Sequence, residues 1–432
     1  MRISDKQLRY PRALILGALI LALAALILWW PASPSISSPT PASSATTTVP
    51  APTRKPATAP ITSTIVPRNI LLFIGDGMGP EQVRAAGMYR YGQAGTLLME
   101  SFPYTSTMTT HSANSDVTDS AASATAMATG HKVDNGVISQ AIPGDGHDLE
   151  TLTEFFHAHG KSVGLVSTAF ATHATPAAFA THTVHRSHFD EIAQDYLMET
   201  RPEVLMGGGA NGLSPANAAA AGYTVVTNRE EMAALDHQID FVSGQFGDTH
   251  MPYEYDYLTG SSGGYDTWPH LDEMVSQTLK LLEDDPDGFF LMVEGARIDH
   301  AGHQNDLPRN IHETLAFDAA LRVAYAWAAD REDTLIIVTA DHETGGLIVL
   351  ENNGPGNFPT VQWTTTGHTA TEVPVYAWGV NAGLARQVTD NTDIYGLARS
   401  GMADAPALPL PNVRVIDFRA RSGLGWGWWG FE

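Results

Sequence analysis

The chain has 432 residues, which is long enough for one large core, and it carries 24 Lys and Arg against 47 Asp and Glu. Such an acidic surface repels nucleic-acid backbones and argues against general DNA or RNA binding. It also repels anionic substrates, so a site for one needs local positive charge, which metal ions supply. The chain has no cysteine, which excludes disulfides and thiolate chemistry.

The N-terminus predicts export. Arg2, Lys6, Arg9 and Arg12 precede an unbroken apolar run at residues 13–30. Its length is at the lower edge for a membrane-spanning helix and above that of the usual signal-peptide core. The basic flank stays inside, so the rest of the chain is expected to be periplasmic. We expect an inner-membrane anchor, since no A-x-A cleavage site directly follows the run, and a cleaved signal with secretion is the alternative.

Residues 31–68 consist almost entirely of Pro, Ala, Ser and Thr. Such a segment buries too little apolar surface to offset its ordering entropy, so it is predicted to be a flexible tether. It also could not pack over the apolar run, which disfavours a buried core helix there. The catalytic domain is therefore expected to occupy residues 69–432.

Short apolar runs alternate with helical patterns through this domain. The predicted strands are residues 69–74, 161–167, 289–293, 335–339 and 373–378. Residues 151–159 and 271–283 have helical patterns. This alternation predicts an α/β fold, and strands that are apolar on both faces indicate a largely parallel sheet covered by helices.

Acidic and imidazole side chains follow three of the predicted strands. Asp76 comes just after the first, Glu294 follows the third, and Asp341 with His342 follows the fourth. Ligands of open α/β sheets bind beyond the carboxyl ends of the strands. We therefore expect these distant residues to converge at one edge of the sheet.

Two Asp–His pairs have the composition of zinc ligands. Asp299 and His303 are spaced to share one face of a helical turn, and zinc accepts carboxylate oxygen and imidazole nitrogen. Asp341 and His342 can both turn inward just past a strand. His368 follows in a glycine-containing segment. Taken singly, each has an ordinary interpretation, such as a surface ion pair or a loop histidine.

An alanine-rich segment, residues 120–129, predicts a helix that ends at Gly130. Thr118, Asp119 or Ser120 would stand at its start. Asp and Ser are common N-caps, which is the ordinary interpretation. The functional interpretation is a nucleophilic serine at a helix N-terminus, where the dipole and free N–H groups favour an anion.

Six segments, in one order across residues 69–380, make the chain resemble the alkaline phosphatases. They are IGDGMG at 74–79, VTDSAASATAMATG at 117–130, STAFATHATPAA at 167–178, VEGARIDHAGH at 293–303, VTADHETGGL at 338–347 and TTGHT at 365–369. The resemblance implies an α/β three-layer sandwich around a large, mostly parallel central sheet. It also implies metal-dependent hydrolysis of phosphate monoesters to an alcohol and inorganic phosphate.

The resemblance implies a role for each matching residue. Ser120 would be the nucleophile that forms a phosphoserine, and Arg186 would bind the substrate phosphate. The implied metal ligands fall in three sets: Asp299, His303 and His368 for a first Zn2+; Asp76, Asp341 and His342 for a second Zn2+; and Asp76, Thr175 and Glu294 for one Mg2+.

Two features depart from the best-studied bacterial form of the family. His173 and His300 stand where that form has Asp and Lys near the magnesium site, so the third ion is expected to be magnesium or zinc. Either histidine would serve in the outer shell or as an alternative ligand. The short segment between His342 and His368 leaves little or no room for a crown insertion, which helps many relatives to dimerise. A homodimer is therefore only weakly indicated.

Two alternatives to a phosphate monoesterase remain at this stage. One is a phosphodiesterase or sulfatase of the same superfamily, which tends to use Thr or a modified Cys or Ser as nucleophile. The other is a non-catalytic exported metal-binding protein. A degenerate site is expected to have lost ligands, and every expected ligand is present in this sequence.

Overall fold

The computed structural model describes residues 65–237, 240–261 and 267–402. The predicted anchor, and nearly all of the predicted tether, lie outside the described residues and stay predictions. None of the helices in these three ranges is long and apolar enough to cross a membrane.

Strands and helices alternate along the domain. The strands are β1 (Asn69–Gly75), β2 (Tyr104–Met108), β3 (Ser162–Phe170), β4 (Val204–Gly208), β5 (Thr224–Val226), β6 (Val242–Gln245), β7 (Phe289–Gly295), β8 (Thr334–Ala340), β9 (Glu343–Thr344), β10 (Leu347–Glu351), β11 (Thr360–Trp363), β12 (His368–Thr369) and β13 (Val373–Gly379). The helices are α1 (Pro80–Tyr91), α2 (Ser120–Thr129), α3 (Leu152–Ala158), α4 (Ala174–Ala178), α5 (Phe189–Met198), α6 (Pro215–Ala220), α7 (Arg229–Ala233), α8 (Glu254–Leu258), α9 (Leu271–Leu282), α10 (Arg297–His303), α11 (Leu307–Ala328) and α12 (Asp393–Ala398). Short 3-10 helices occupy Met99–Ser101 and Ala382–Gln387.

Nine of the strands form one sheet in the order β2-β13-β8-β1-β7-β3-β4-β6-β5. β13 runs antiparallel to both β8 and β2, and the other neighbours are parallel. The prediction of a large, mostly parallel sheet is therefore confirmed.

The centre of the sheet is covered on both faces. Every residue of β1, β7 and β8 is buried. Helices α9 and α11 pack against each other and against β7, and α3 and α4 pack against β3 and β7. Apolar side chains on both faces of these strands explain why they lie inside the three-layer sandwich.

The strand register brings the predicted functional residues to one edge. Ile74 of β1 pairs with Glu294 of β7, and Gly75 pairs with Ala340 of β8. Asp76 and Asp341 therefore leave adjacent parallel strands at the same level. Glu294 lies inside β7 rather than after it, because pairing with β1 continues to the next residue. On the other side, Ser167 of β3 pairs with Glu294.

The segment between β8 and β13 is compact. β9 pairs with β12, and β10 pairs with β11, each antiparallel. These two small ladders leave little room for an inserted domain in this segment, as the short spacing predicts. The β9–β12 pair also sets His368 opposite Thr344, next to the edge at which Asp341 and His342 lie.

Candidate metal centre beside Ser120

Ser120 is the first residue of α2 and faces the metal centre. Asp119 caps the helix, and its side chain accepts a hydrogen bond from the Ala122 amide at 3.0 Å. Ser120 is only 3% exposed, and its Oγ lies 3.4 Å from His342 Nε2. The predicted helix and the candidate nucleophile therefore lie beside residues that are more than 200 positions away in the sequence.

The first group of candidate ligands comprises Asp299, His303 and His368. The Nε2 atoms of His303 and His368 are 3.1 Å apart, and they lie 3.3 Å and 3.5 Å from Asp299 Oδ1. Both Nδ1 atoms face backbone carbonyls: His303 contacts Thr366 O at 2.5 Å, and His368 contacts Thr118 O at 2.8 Å. An Nδ1–H that donates to a carbonyl leaves the Nε2 lone pair free, so the two imidazoles converge as metal ligands do.

The second group surrounds His342. Its Nε2 lies 3.2 Å from Asp341 Oδ2 and 3.6 Å from Asp76 Oδ1, and all three side chains are fully buried. Asp299 also approaches close enough to join Asp76 and His342 as a ligand. Burial, first of all, and then the charges of His368 and His303 lower the pKa of His342 well below its usual value. A neutral imidazole is the form that binds zinc.

The third group lies on the other side of Asp76. It contains Asp76, His173 and Glu294, with Thr175 fully buried beside the glutamate. Ser167 donates a short hydrogen bond to Glu294 Oε2. The structure therefore places His173 among the candidate ligands, together with the predicted oxygen ligands.

Several buried ligand atoms in these groups have no hydrogen-bond partner. They are both carboxylate oxygens of Asp76, Oδ2 of Asp341, Oε1 of Glu294, Oγ1 of Thr175 and Nδ1 of His173. An unsatisfied buried polar atom costs about 1–3 kcal/mol, and more if it is charged. Divalent cations would satisfy these atoms. The donors fit zinc in the first two groups, and they fit a hard cation or zinc in the third, which has oxygen donors and the His173 imidazole.

The pKa shifts of the buried carboxyl groups also indicate a site for cations. Burial raises the pKa of Glu294 to about 7 and that of Asp341 to about 6. Burial and then the charge of Asp341 also raise the pKa of Asp76. Burial opposes ionisation of Asp299 as well, but its hydrogen bond to His368 and the nearby histidines lower its pKa overall. The carboxylates repel one another, and cations between them would remove that repulsion.

Arg186 is the one arginine of the predicted site. Its Nη1 lies 3.0 Å from Asp119 Oδ2, and its Nη2 lies 3.2 Å from His173 Nε2. Asp119 thus caps α2, which begins at Ser120, and also holds the Arg186 guanidinium at this end of the helix. The binding of the substrate phosphate by Arg186 stays a prediction.

His300 stands apart from the three groups. Its ring centroid lies 5.9 Å from that of His173, and its Nδ1 lies 3.2 Å from Nη1 of Arg297. Burial lowers its pKa to about 4, so it is neutral at physiological pH. Its placement fits an outer-shell residue better than a direct ligand.

Sequence reasoning missed three residues around the centre, two that bond to candidate ligands and one that packs beside His300. Ser167 contacts Glu294, Thr344 donates to Asp299 at 2.5 Å, and His250 lies beside His300 with ring centroids 4.3 Å apart. Ser167 and Thr344 lie inside the quoted motifs, which is the only signal that could have identified them. His250 lies in none of those segments.

The comparisons identify the family. The family model "Alkaline phosphatase" matches residues 67–223 and 216–356. Alkaline phosphatase 3 of Bacillus subtilis is 36% identical, over 65% of this chain and 62% of that protein. The chain thus spans somewhat less than two thirds of this relative. Alkaline phosphatase H of Pseudomonas aeruginosa is 31% identical over 78% of this chain and 85% of that protein.

Two solved structures share the fold over nearly their whole length. The alkaline phosphatase of the Antarctic bacterium TAB5 has a TM-score of 0.66 and 28% identity, covering 77% of this chain and 97% of that one. The alkaline phosphatase of Shewanella sp. has a TM-score of 0.69 and 29% identity, covering 77% of this chain and 99% of that one. A variant of the TAB5 enzyme has magnesium bound in its M3 site. The chain therefore belongs to the alkaline phosphatase family of enzymes, as the order of its motifs predicts.

Proposed function

We propose that the protein hydrolyses phosphate monoesters to an alcohol and inorganic phosphate through a phosphoserine on Ser120. One zinc ion would occupy the group of Asp299, His303 and His368, and a second the group of Asp76, Asp341 and His342. A third ion, magnesium or zinc, would occupy the group around Glu294. The observation that carries this proposal is the set of buried carboxylate oxygens without hydrogen-bond partners next to a buried serine hydroxyl. When bound, the ions would favour the ionised serine and stabilise the negative charge on the leaving oxygen.

Ser120 would carry the covalent step. Its Oγ forms a bond to phosphorus while the bond from phosphorus to the leaving oxygen breaks, and the departing alcohol takes up a proton. Water then attacks the phosphoserine, the bond between Ser120 and phosphorus breaks, and the serine recovers its proton. The position of Ser120 at the start of α2 favours both the formation and the hydrolysis of the phosphoserine, since backbone N–H groups there stabilise an oxyanion.

Arg186 would bind two non-bridging oxygens of the phosphate. A planar guanidinium matches this geometry, and the ion pair with Asp119 restricts its orientation. The side chain is 26% exposed, so its free edge can reach a ligand. Its charge would also counter the strongly acidic character of the chain at the point where an anion must enter.

The comparisons do not favour the alternatives. The relatives named above are alkaline phosphatases, and a further relative, 32% identical over 78% of this chain and 90% of its own, is the streptomycin-6-phosphate phosphatase of Streptomyces griseus. That name describes a phosphatase that acts on a monoester. A non-catalytic protein would not need a serine hydroxyl 3.4 Å from a buried candidate ligand.

Metal analysis combined with kinetics tests the proposal. We expect elemental analysis of the purified protein to find two zinc ions and a third divalent ion per chain. We also expect kcat/KM for 4-nitrophenyl phosphate to exceed that for bis(4-nitrophenyl) phosphate by at least about 100-fold, which is about 2.7 kcal/mol of transition-state binding. A preference for the diester at saturating zinc would contradict the proposed substrate class.

We also propose that the enzyme acts in the periplasm, tethered by residues 13–30. The basic residues that precede the apolar run support this location, because such a flank stays on the cytoplasmic side of the membrane. Fractionation tests it: the activity should sediment with inner membranes and become soluble when residues 1–64 are replaced by a cleavable signal peptide. Activity confined to the cytosol would contradict export.

A further inference from the structure

A cavity of about 340 Å³ lies beside the metal centre. Its lining includes Thr249, His250, Tyr253, Trp268 and Arg297. Pockets for small ligands start at about this size. The cavity adjoins the site through a row of imidazoles: the His250 ring lies 4.3 Å from that of His300 and 5.6 Å from that of His173.

The charged side chains of the wall are Arg297, Arg309, Asp248 and Asp256, and Arg297 is the one that contacts the row of imidazoles. Its guanidinium carbon lies 3.8 Å from the centroid of the Tyr253 ring, and its Nη1 lies 3.2 Å from His300 Nδ1. Its Nε is buried and makes no hydrogen bond, and no carboxylate of the described residues lies within 4 Å of its nitrogens. Burial lowers the pKa of Arg297, and the more distant charges of Glu313 and Asp256 raise it. Burying a cation that makes no ion pair at contact distance costs free energy, and this chain has 47 acidic side chains against 24 basic ones.

The second arginine of the wall differs in this respect. Arg309 binds Asp256 through two nitrogens at 3.0 Å and 3.1 Å and also lies 3.4 Å from Asp306. Its charge is therefore neutralised within the protein. Because it also stacks at 4.5 Å from the Tyr253 centroid, it supports the ring on which Arg297 lies. The guanidinium of Arg297 is thus held against this ring without an ion pair at contact distance.

We propose that this cavity receives the leaving group of the phosphate ester and that Arg297 binds a second anionic group on it, a carboxylate or a second phosphate. The inference rests on the proposed function. Either anion presents two oxygens to a guanidinium in the same geometry. Trp268, Met251 and Pro252 would contact the carbon skeleton between the two groups.

Three esters of equal chain length test this inference. They are propyl phosphate, 3-phosphonooxypropanoate and propane-1,3-diol bisphosphate, and the readout is kcat/KM for each charged ester relative to propyl phosphate. Charge-assisted hydrogen bonds contribute about 1.5–3 kcal/mol, so Arg297→Gln should lower at least one of these ratios by about 10-fold or more. The ratio that falls identifies the anion. Arg297→Lys should restore part of it.

Arg331→Gln is the matched control, since Arg331 also stacks on an aromatic ring, 3.9 Å from the Trp327 centroid, but lines no part of this cavity. It should leave both ratios unchanged. If Arg297→Gln lowered kcat/KM equally for all three esters, Arg297 would have a structural role and the inference would be overturned.

A second variant covers the case in which Arg297→Gln fails to fold. Thr249→Trp adds bulk to the exposed rim of the cavity. It should lower kcat/KM for the charged esters by more than for propyl phosphate, and equal effects would overturn the inference. If the wild-type enzyme hydrolysed none of the three esters, the proposed function itself would fail, which is a different result from unchanged ratios.

Discussion

Thr344 connects two candidate zinc ligands that come from different parts of the chain. Its hydroxyl donates to Asp299 Oδ1 at 2.5 Å and lies 3.3 Å from His342 Nδ1. It is fully buried, so water cannot replace it easily. Hydrogen bonds of this kind orient ligands, and their loss typically costs 10–100-fold in metal affinity.

We therefore predict that Thr344→Val weakens zinc binding by about 10–100-fold and lowers activity at limiting zinc. Excess zinc should restore most of the activity, because the ligands themselves remain. Titration of the metal-free protein against a competing chelator measures the affinity. Thr344→Ser keeps the hydroxyl and should bind zinc much as the wild type does. Equal affinities for the Val and Ser variants would show that the hydroxyl does not orient the ligands.

At the scale of single residues, the sequence predicts the candidate metal ligands better than it predicts the residues that hydrogen-bond to them. Asp299 and His303 have a helical spacing that suggests a metal, and the structure brings them together with His368. Thr344 and Ser167 have side chains that occur everywhere in proteins, and only the folded chain places them against carboxylates. The absence of an ion pair at Arg297 likewise depends on where the nearby acids lie in the folded chain, and no local sequence pattern gives their positions.

The turn after β1 is the element on which the centre depends most. Gly77 has φ +73°, and a Cβ there would come within 2.7 Å of Asp299 Cα and 2.8 Å of Thr344 Oγ1. Its amide donates to Asp341 Oδ1 at 3.0 Å. The turn thus packs directly against Asp299 and Asp341, which are candidate ligands in two of the metal groups.

Gly77→Ala should therefore destabilise the protein by about 3 kcal/mol or more, as strained and overpacked sites do, and should lower zinc content. Gly95→Ala is the control: its φ is +77°, but nothing lies within 4 Å of an added Cβ. Only the backbone cost of about 1–2 kcal/mol is expected there. Urea unfolding measures both, and equal losses would contradict the packing argument.

Helix α11 carries a buried acid outside the metal groups. Glu313 is 3% exposed, and the Glu254 amide donates to its Oε1 at 2.7 Å. Burial and then the charge of Glu254 raise its pKa to about 8, while Arg297 lowers it and Asp256 raises it. A raised pKa in the folded state means that the folded protein holds this proton after the unfolded chain has lost it.

The free energy of unfolding should therefore decrease from about pH 4.5 to about pH 8, by at most about 1.4 kcal/mol per pH unit from this group. Glu313→Gln should remove that decrease, whereas Glu332→Gln, at an exposed acid, should keep it. Urea unfolding at several pH values, with metal saturated throughout, measures the difference between the variants. Parallel pH profiles for the two variants would show that Glu313 titrates normally.

At the scale of the whole molecule, the parallel strands assemble the site. The alternation of apolar runs and helical patterns predicts an α/β fold with a largely parallel sheet, because buried parallel strands are apolar on both faces. It does not predict that β13 runs antiparallel, since the hydrophobic pattern of a buried strand is the same in both directions. It also does not predict the two small ladders that contain β9 to β12, because all four strands are short and all but β9 are partly exposed.

Metal binding should stabilise the entire domain. Asp76, Glu294 and Asp341 are buried together, and without cations their repulsion opposes folding. At free zinc 1,000 times its Kd, binding to one site contributes about 4 kcal/mol. Chelation should therefore lower the melting temperature, and added zinc should restore it. An unchanged melting temperature in protein that elemental analysis shows to be metal-free would contradict the assignment of these carboxylates as ligands.

Trapping the covalent intermediate tests the central claim most directly. The enzyme is mixed with a phosphate monoester, quenched in acid, digested and analysed by mass spectrometry, alongside Ser120→Ala with its zinc content measured. We predict phosphate on Ser120 in the wild type, and no phosphopeptide in a variant that retains its zinc. Phosphate on another residue, or turnover by Ser120→Ala at the wild-type rate, would contradict the account.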